Sequence, residues 1–147
     1  MGIFDAMNIG IDALKVHSAR LDLVSKNIAN IDTPYYTRKI PLVVATDRSS
    51  FLSVMNQMKE SAYGVGTLPY ASGSVALSGV VEDPTLGDKL YMPGHPDADE
   101  NGYIRTSNVD PLVEITDGIM AQRAYEAGLA IISMSKSMAD RAVSIGQ

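Results

Sequence analysis

Asp97, Asp99 and Asn101 alternate along one short stretch, with Glu100 among them and Gly102 in sixth place, which is how a calcium loop opens. Such a loop is closed by a bidentate glutamate at its twelfth position. That position is Asn108 here, and no helical pattern precedes Asp97. The stretch therefore reads as an acidic, Asx-rich turn, and a small calcium-dependent binding module is the alternative function that it leaves open. His17 falls in a helical pattern and His95 stands between Pro93-Gly94 and Pro96. Neither has a second or third ligand nearby in sequence, so both read as structural and no metal site is expected. Ser78-Gly79 and Ser107-Asn108 lack the strained elbow of a serine nucleophile, and Gly64-Val65-Gly66 lacks the rest of a phosphate loop. With no cysteine at all, thiolate nucleophiles, thiolate zinc sites and disulfides are excluded. No catalytic residue and no cofactor is expected, and the chain reads as a non-enzyme.

The remaining polar residues of interest sit on helical patterns. Asn27 and Asn30 stand near the end of a first helix, where their spacing suits a cap. Gln122, Arg123, Tyr125 and Glu126 suit a solvated helix face with a local ion pair.

Residues 4–31 contain no proline. Phe4, Met7, Ile11, Leu14, Ser18, Leu21, Ser25 and Ile28 recur there at alternating steps of three and four. A second stripe, Ile9, Ala13, Val16 and Leu23, widens the apolar arc beyond what one partner helix needs. Pro34 ends this helix near residues 30–32. Residues 35–108 change character: β-favouring runs at 37–45 and 74–81 alternate with Gly, Pro, Ser and Asp, which predicts a small loop-rich β insertion. Residues 49–61 fit either a short helix or a loop. Asp110-Pro111 then gives an N-cap followed by proline at the first helical position, and a helix to the chain end follows. Its stripe is Val113, Thr116, Met120, Ala124, Ala127, Ile131, Met134, Met138, Ala142 and Ile145, broadened by Leu112, Ile115, Ile119 and Leu129. Gly118, Ala121, Ala124, Ala127 and Gly128 would let another helix approach closely.

The expected fold is mainly α: long N- and C-terminal helices pairing as a coiled-coil-like hairpin around a small β insertion. The expected division is 1–34, 35–108 and 109–147. Helices of about 30 to 35 residues are about 45 to 50 Å long, more than the insertion can cover. The uncovered apolar surface predicts self-assembly. A net charge of −5 with scattered Lys and Arg argues against nucleic acid. No apolar run is long enough for membrane insertion, and the first residues lack the pattern of a cleaved signal peptide.

Ser25-Lys26-Asn27-Ile28-Ala29-Asn30-Ile31-Asp32-Thr33-Pro34-Tyr35-Tyr36-Thr37-Arg38 resembles the N-terminal signature of the flagellar rod and hook axial protein family, although Tyr35 stands where that family usually has glycine. Asn108-Val109-Asp110-Pro111 and Ala121-Gln122-Arg123-Ala124-Tyr125-Glu126-Ala127 resemble its C-terminal pattern. Tyr91-Met92-Pro93-Gly94-His95-Pro96-Asp97-Ala98, then Asn101-Gly102-Tyr103 and the terminal Gly146-Gln147, resemble its proximal-rod members. The resemblance implies a structural subunit of the proximal rod of the bacterial flagellar basal body, stacked helically and passing torque from motor ring to hook. A sister rod protein such as FlgB is the alternative within the family. The resemblance further implies export from the cytoplasm to the periplasmic rod through the flagellar type III apparatus, without a cleaved signal peptide. Implied partners are other copies of the chain and the rod proteins FlgB, FlgF, FlgG and FliE. The expected subunit interface comprises Phe4, Met7, Ile11, Leu14, Leu21, Asn27, Ile28 and Asn30 on the first helix. On the second it comprises Val113, Met120, Gln122, Arg123, Tyr125, Ala127, Ile131, Met134 and Met138.

Overall fold

The computed structural model describes residues 3–47 and 73–145, with side-chain environments for 5–45 and 73–144. Helix α1 (Ile3–Ala29) is followed by strands β1 (Lys39–Asp47), β2 (Gly73–Glu82), β3 (Lys89–Tyr91) and β4 (Tyr103–Arg105), and then helix α2 (Pro111–Ile145). This is the mainly helical chain with a β insertion that the periodicities predict. The segment 49–61, read as helix or loop, lies outside the described residues.

Local chemistry favours both ends of α1 and the start of α2. At α1, Asp5 in the first turn and Lys26 in the last oppose the helix dipole. Asn30 donates from Nδ2 to the Lys26 carbonyl at 2.8 Å, satisfying one of the orphan acceptors at that end. At α2, Asp110 is the N-cap: its Oδ1 accepts the backbone N–H of Leu112 at 2.8 Å and of Val113 at 3.4 Å. Pro111 costs nothing at a position whose N–H would be unpaired anyway.

The helices run antiparallel. Gly10 lies against Ile132 and Gly128, Leu14 against Gly128, Val24 against Gly118, and Asn27 against Glu114. Small residues make the approach close: a Cβ at Gly10 would meet Ile132 Cγ1 at 2.8 Å, and one at Gly128 would meet Leu14 Cδ2 at 3.1 Å. The pairing also leaves the helices unequal. Counted along both helices from the approach of Gly10 to Ile132, Ile3 comes level with Ala139, so the described part of α2 is the longer at this end.

Strands β1 and β2 pair antiparallel from Lys39↔Glu82 to Asp47↔Gly73, with a bulge at Leu42/Val43. A two-stranded sheet is marginal in water, and this one is held along α1: Ser74 donates from Oγ to Asp12 Oδ2 at 2.5 Å, while Val16 and Leu23 are buried. The β3–β4 ribbon pairs Lys89↔Arg105, Leu90↔Ile104 and Tyr91↔Tyr103. Gly87 beside it admits no side chain, because a Cβ there would lie 1.8 Å from the Thr106 carbonyl oxygen. The described apolar core is small: Val16, Leu23, Ile104, Val109 and Ala121.

Candidate functional site: outward apolar stripes around a buried polar junction

The residues that bury α2 against α1 are Glu114, Ala121, Gly128 and Ser135, one in every seven. The larger apolar residues picked out by sequence stand beside this seam and face out. Met120 is 58% and Met134 64% exposed, and Val113, Ala127, Ile131 and Met138 are exposed as well. On α1, Ile11 and Ile28 are exposed, whereas Met7, Leu14 and Leu21 are half-buried at the rim. Of Phe4 only its place in α1 is described. Leu112, Ile115 and Ile119 extend the apolar surface of α2 near its start. The heptad-like stripes are therefore mostly a second surface. The stripe read as secondary supplies Val16 and Leu23, the two buried apolar side chains of α1.

Where α1 ends and α2 begins, the chain builds a polar junction. Asn27 is only 1% exposed. Its Nδ2 donates to the Lys39 carbonyl at 3.0 Å and to Glu114 Oε2 at 3.1 Å. Its Oδ1 accepts from the Tyr36 hydroxyl at 3.1 Å and the Lys39 N–H at 3.0 Å. An amide has two donors and two lone pairs, so its capacity is filled. Reading Asn27 as a terminal cap is thus corrected: its side chain is bonded across the junction. Asn30 is the residue that caps.

Glu114, also 1% exposed, accepts at Oε1 from Arg38 Nε at 2.5 Å. Arg38 also reaches Asp117 at 3.1 Å and Asp83 at 4.0 Å. Burial pulls the Arg38 pKa down, but the hydrogen bond and charge of Glu114, with Asp117 and Asp83, more than offset it, and the net shift is upward. Burial, then the charge of Glu114, raises the Tyr36 phenol. The Arg38 N–H donates to Asn108 Oδ1 at 2.6 Å, and Asn108 Nδ2 donates to the Thr85 carbonyl at 2.8 Å. The junction thus ties the end of α1, the start of β1, the turn after β2 and the start of α2. Neither Arg38 nor Glu114 was singled out from sequence. The available signal was a carboxylate on the first turn of an otherwise apolar helix face, with an arginine just before the first strand.

Tyr35 follows Pro34 with a φ of 59°, the left-handed conformation that a glycine would take without strain. Its N–H donates to the Arg105 carbonyl at 3.0 Å and its hydroxyl to the Asp97 carbonyl at 3.1 Å, which ties this turn to the proline-rich loop. Of the other expected residues, Gln122 donates to Glu126 at 3.1 Å on an exposed face, where the expectation was an ion pair; Arg123 is exposed and Tyr125 half-buried.

The calcium-like stretch is an Asx turn. Asp99 Oδ1 accepts the backbone N–H groups of Asn101 and Tyr103 at 2.9 and 2.8 Å, and Gly102 takes φ 78°. His95 Nδ1 accepts the Asp97 N–H at 3.1 Å. Among the described residues, no group of three or more His, Cys, Asp or Glu side chains could hold a metal. Likewise no described helix is long and apolar enough to cross a membrane.

Two family models match the chain. One, described as Flagella basal body rod protein, covers residues 7–37; the other, described as Flagellar basal body rod FlgEFG protein C-terminal, covers residues 100–145. Similar curated proteins include the flagellar basal-body rod protein FlgC of Bacillus subtilis, at 31% identity over all of both chains. Those of Buchnera aphidicola subsp. Baizongia pistaciae and of Salmonella typhimurium match at 30% and 29%, also over all of both chains.

Proposed function

Since the chain belongs to the FlgC family of flagellar basal-body rod proteins, with a structural role in the rod of the basal body, we propose that it builds the rod through the outward stripes of α1 and α2. The observation that carries this reading is the row Met120, Ala127, Ile131, Met134 and Met138, exposed along α2 although the fold has no use for it. An apolar surface of that length beside a filled seam is stable in water only when covered. In this reading, helices of neighbouring copies cover it. Residues 1–34 and 109–147 form the coiled-coil-like assembling part, and residues 35–108 form the insertion facing outward.

Contacts of this kind are heterologous, so they propagate along an axis instead of closing into a dimer. The proposed position is the proximal, periplasmic part of the rod, where the subunit passes torque from motor ring to hook. FlgB, FlgF, FlgG and FliE are the proposed neighbours, and the flagellar type III apparatus is the proposed export route. The subunit is non-catalytic in this reading.

Complementation of a deletion strain tests it. Ala127→Asp or Met134→Asp places a charge that must be desolvated on contact, at a cost of several kcal/mol. The purified variants should keep wild-type helicity, because both positions are exposed, while basal bodies are not recovered and cells do not swim. Asp99→Ala or Glu100→Ala should swim normally. Normal swimming of Met134→Asp at normal protein level would move the working surface elsewhere.

A further inference from the structure

We infer that the buried network of Asn27, Arg38 and Glu114 selects the one register in which α1 and α2 pair, and that it serves uniqueness of fold more than stability. This stands apart from what the outer stripes bind.

The seam itself is poorly marked. Of its buried α2 positions, Ala121, Gly128 and Ser135 are all small and recur every seven residues. Sliding α2 by one heptad replaces one small residue by another. The flanking row of Gly118, Tyr125, Ile132 and Ala139 varies in size, yet all four are only half-buried, and a side chain at the rim can turn to solvent. Packing of this kind discriminates weakly between registers.

The junction discriminates strongly. In the observed register Asn27 fills all four of its hydrogen-bonding sites, and Glu114 receives both Asn27 and Arg38. After a slide of one heptad toward the start of α2, Ala121 replaces Glu114 opposite Asn27 and Ala124 replaces Asp117 beside Arg38. A slide the other way carries the Glu114 carboxylate into the slot of Ala121, which is 0% exposed. Either slide strands a buried donor or charge, and that penalty exceeds any preference in the seam. Apolar residues of matching volume at all three positions remove the buried charges without opening a void. The Tyr36 hydroxyl and the Lys39 N–H and carbonyl then lose Asn27 in every register alike, so the network no longer favours one register.

Because the chain has no native cysteine, spin labels can be placed on cysteines introduced at the exposed positions Lys15 and Ala130. Pulsed electron resonance then reads the distance between the helices in the full chain. The parent should give one narrow distance. The triple variant Asn27→Leu, Arg38→Met, Glu114→Leu should keep its helical circular dichroism and a cooperative thermal transition. It should also add a second population in which α2 is displaced along α1 by about 10 Å, one heptad at 1.5 Å per residue. A single unchanged distance in the folded triple variant overturns the inference. An unfolded triple variant overturns it too, because the network would then carry stability rather than choose a register.

Discussion

Arg38 pairs with three carboxylates, Glu114, Asp117 and Asp83, and it stands outside both helices. Arg38→Ala leaves Glu114 buried with its charge unpaired, a loss that breaks buried ion pairs at a cost of about 3 to 5 kcal/mol. Urea unfolding should register that loss, and a change below about 1 kcal/mol would mean that Glu114 is not held by Arg38. His17 supplies a pH signature. Burial, then the charge of Arg20, lowers its pKa below the ordinary 6.5, and its Nδ1 has no hydrogen-bond partner. As pH falls through 6.5 the unfolded chain takes up a proton before the folded one does. Stability contributed by neutral His17 is therefore complete above 6.5 and lost as pH drops toward the depressed folded value. Unfolding midpoints measured from pH 7.5 to 5 should fall, and His17→Leu should flatten that slope. An identical slope in the variant would assign the effect elsewhere. Of these residues, sequence marked His17 and Asn27 but misjudged the second. A polar residue near a helix end fits a cap locally, whereas the partner that buries it, Glu114, lies 87 residues away.

The helices, as elements, were legible from period and punctuation: Pro34, Asp110 and Pro111 marked their ends, and the strand runs fell where β1 and β2 form. Which stripe faces inward was not legible. Hydrophobicity ranks Met120 and Met134 above Ala121 and Gly128, but the closest approach of two backbones favours the smaller pair. The β3–β4 ribbon was missed because three-residue strands carry too little alternation to separate from turn. The small-residue seam makes a prediction at this scale. Gly128→Leu drives a side chain into Leu14 and Gly10, and overpacking of that kind costs about 1 to 3 kcal/mol. Gly118→Ala meets only Val24 Cγ1 at 3.3 Å and gains up to about 1 kcal/mol of helix propensity. Thermal melts should move in opposite directions for the two variants. Equal losses would show that the helices are equally tight at both crossings.

At the scale of the molecule, the described apolar core is five side chains, and the junction lies at one end of a long hairpin. Cooperative protection should therefore be graded. Amide exchange in dilute monomer is expected to be slowest around Asn27 and Glu114, and fastest over residues 3–9 and 137–145. Uniform protection along both helices would show that the monomer needs no neighbour to hold its far end. The family and its structural role were legible here because the signature stretch contains residues that build the junction, Asn27 and Arg38 among them. The stacking of copies was not legible, because it depends on surfaces that only a second chain completes.

The unequal lengths of the two helices carry one more consequence. Among the described residues α2 has 35 residues against 27 in α1, so the described helices end in a step at the end away from the junction. Two such bodies placed head to tail make a lap joint. A butt joint resists twisting only at its contact plane and parts when pulled, whereas a lap joint spreads shear along the whole overlap and stays engaged while the axis turns.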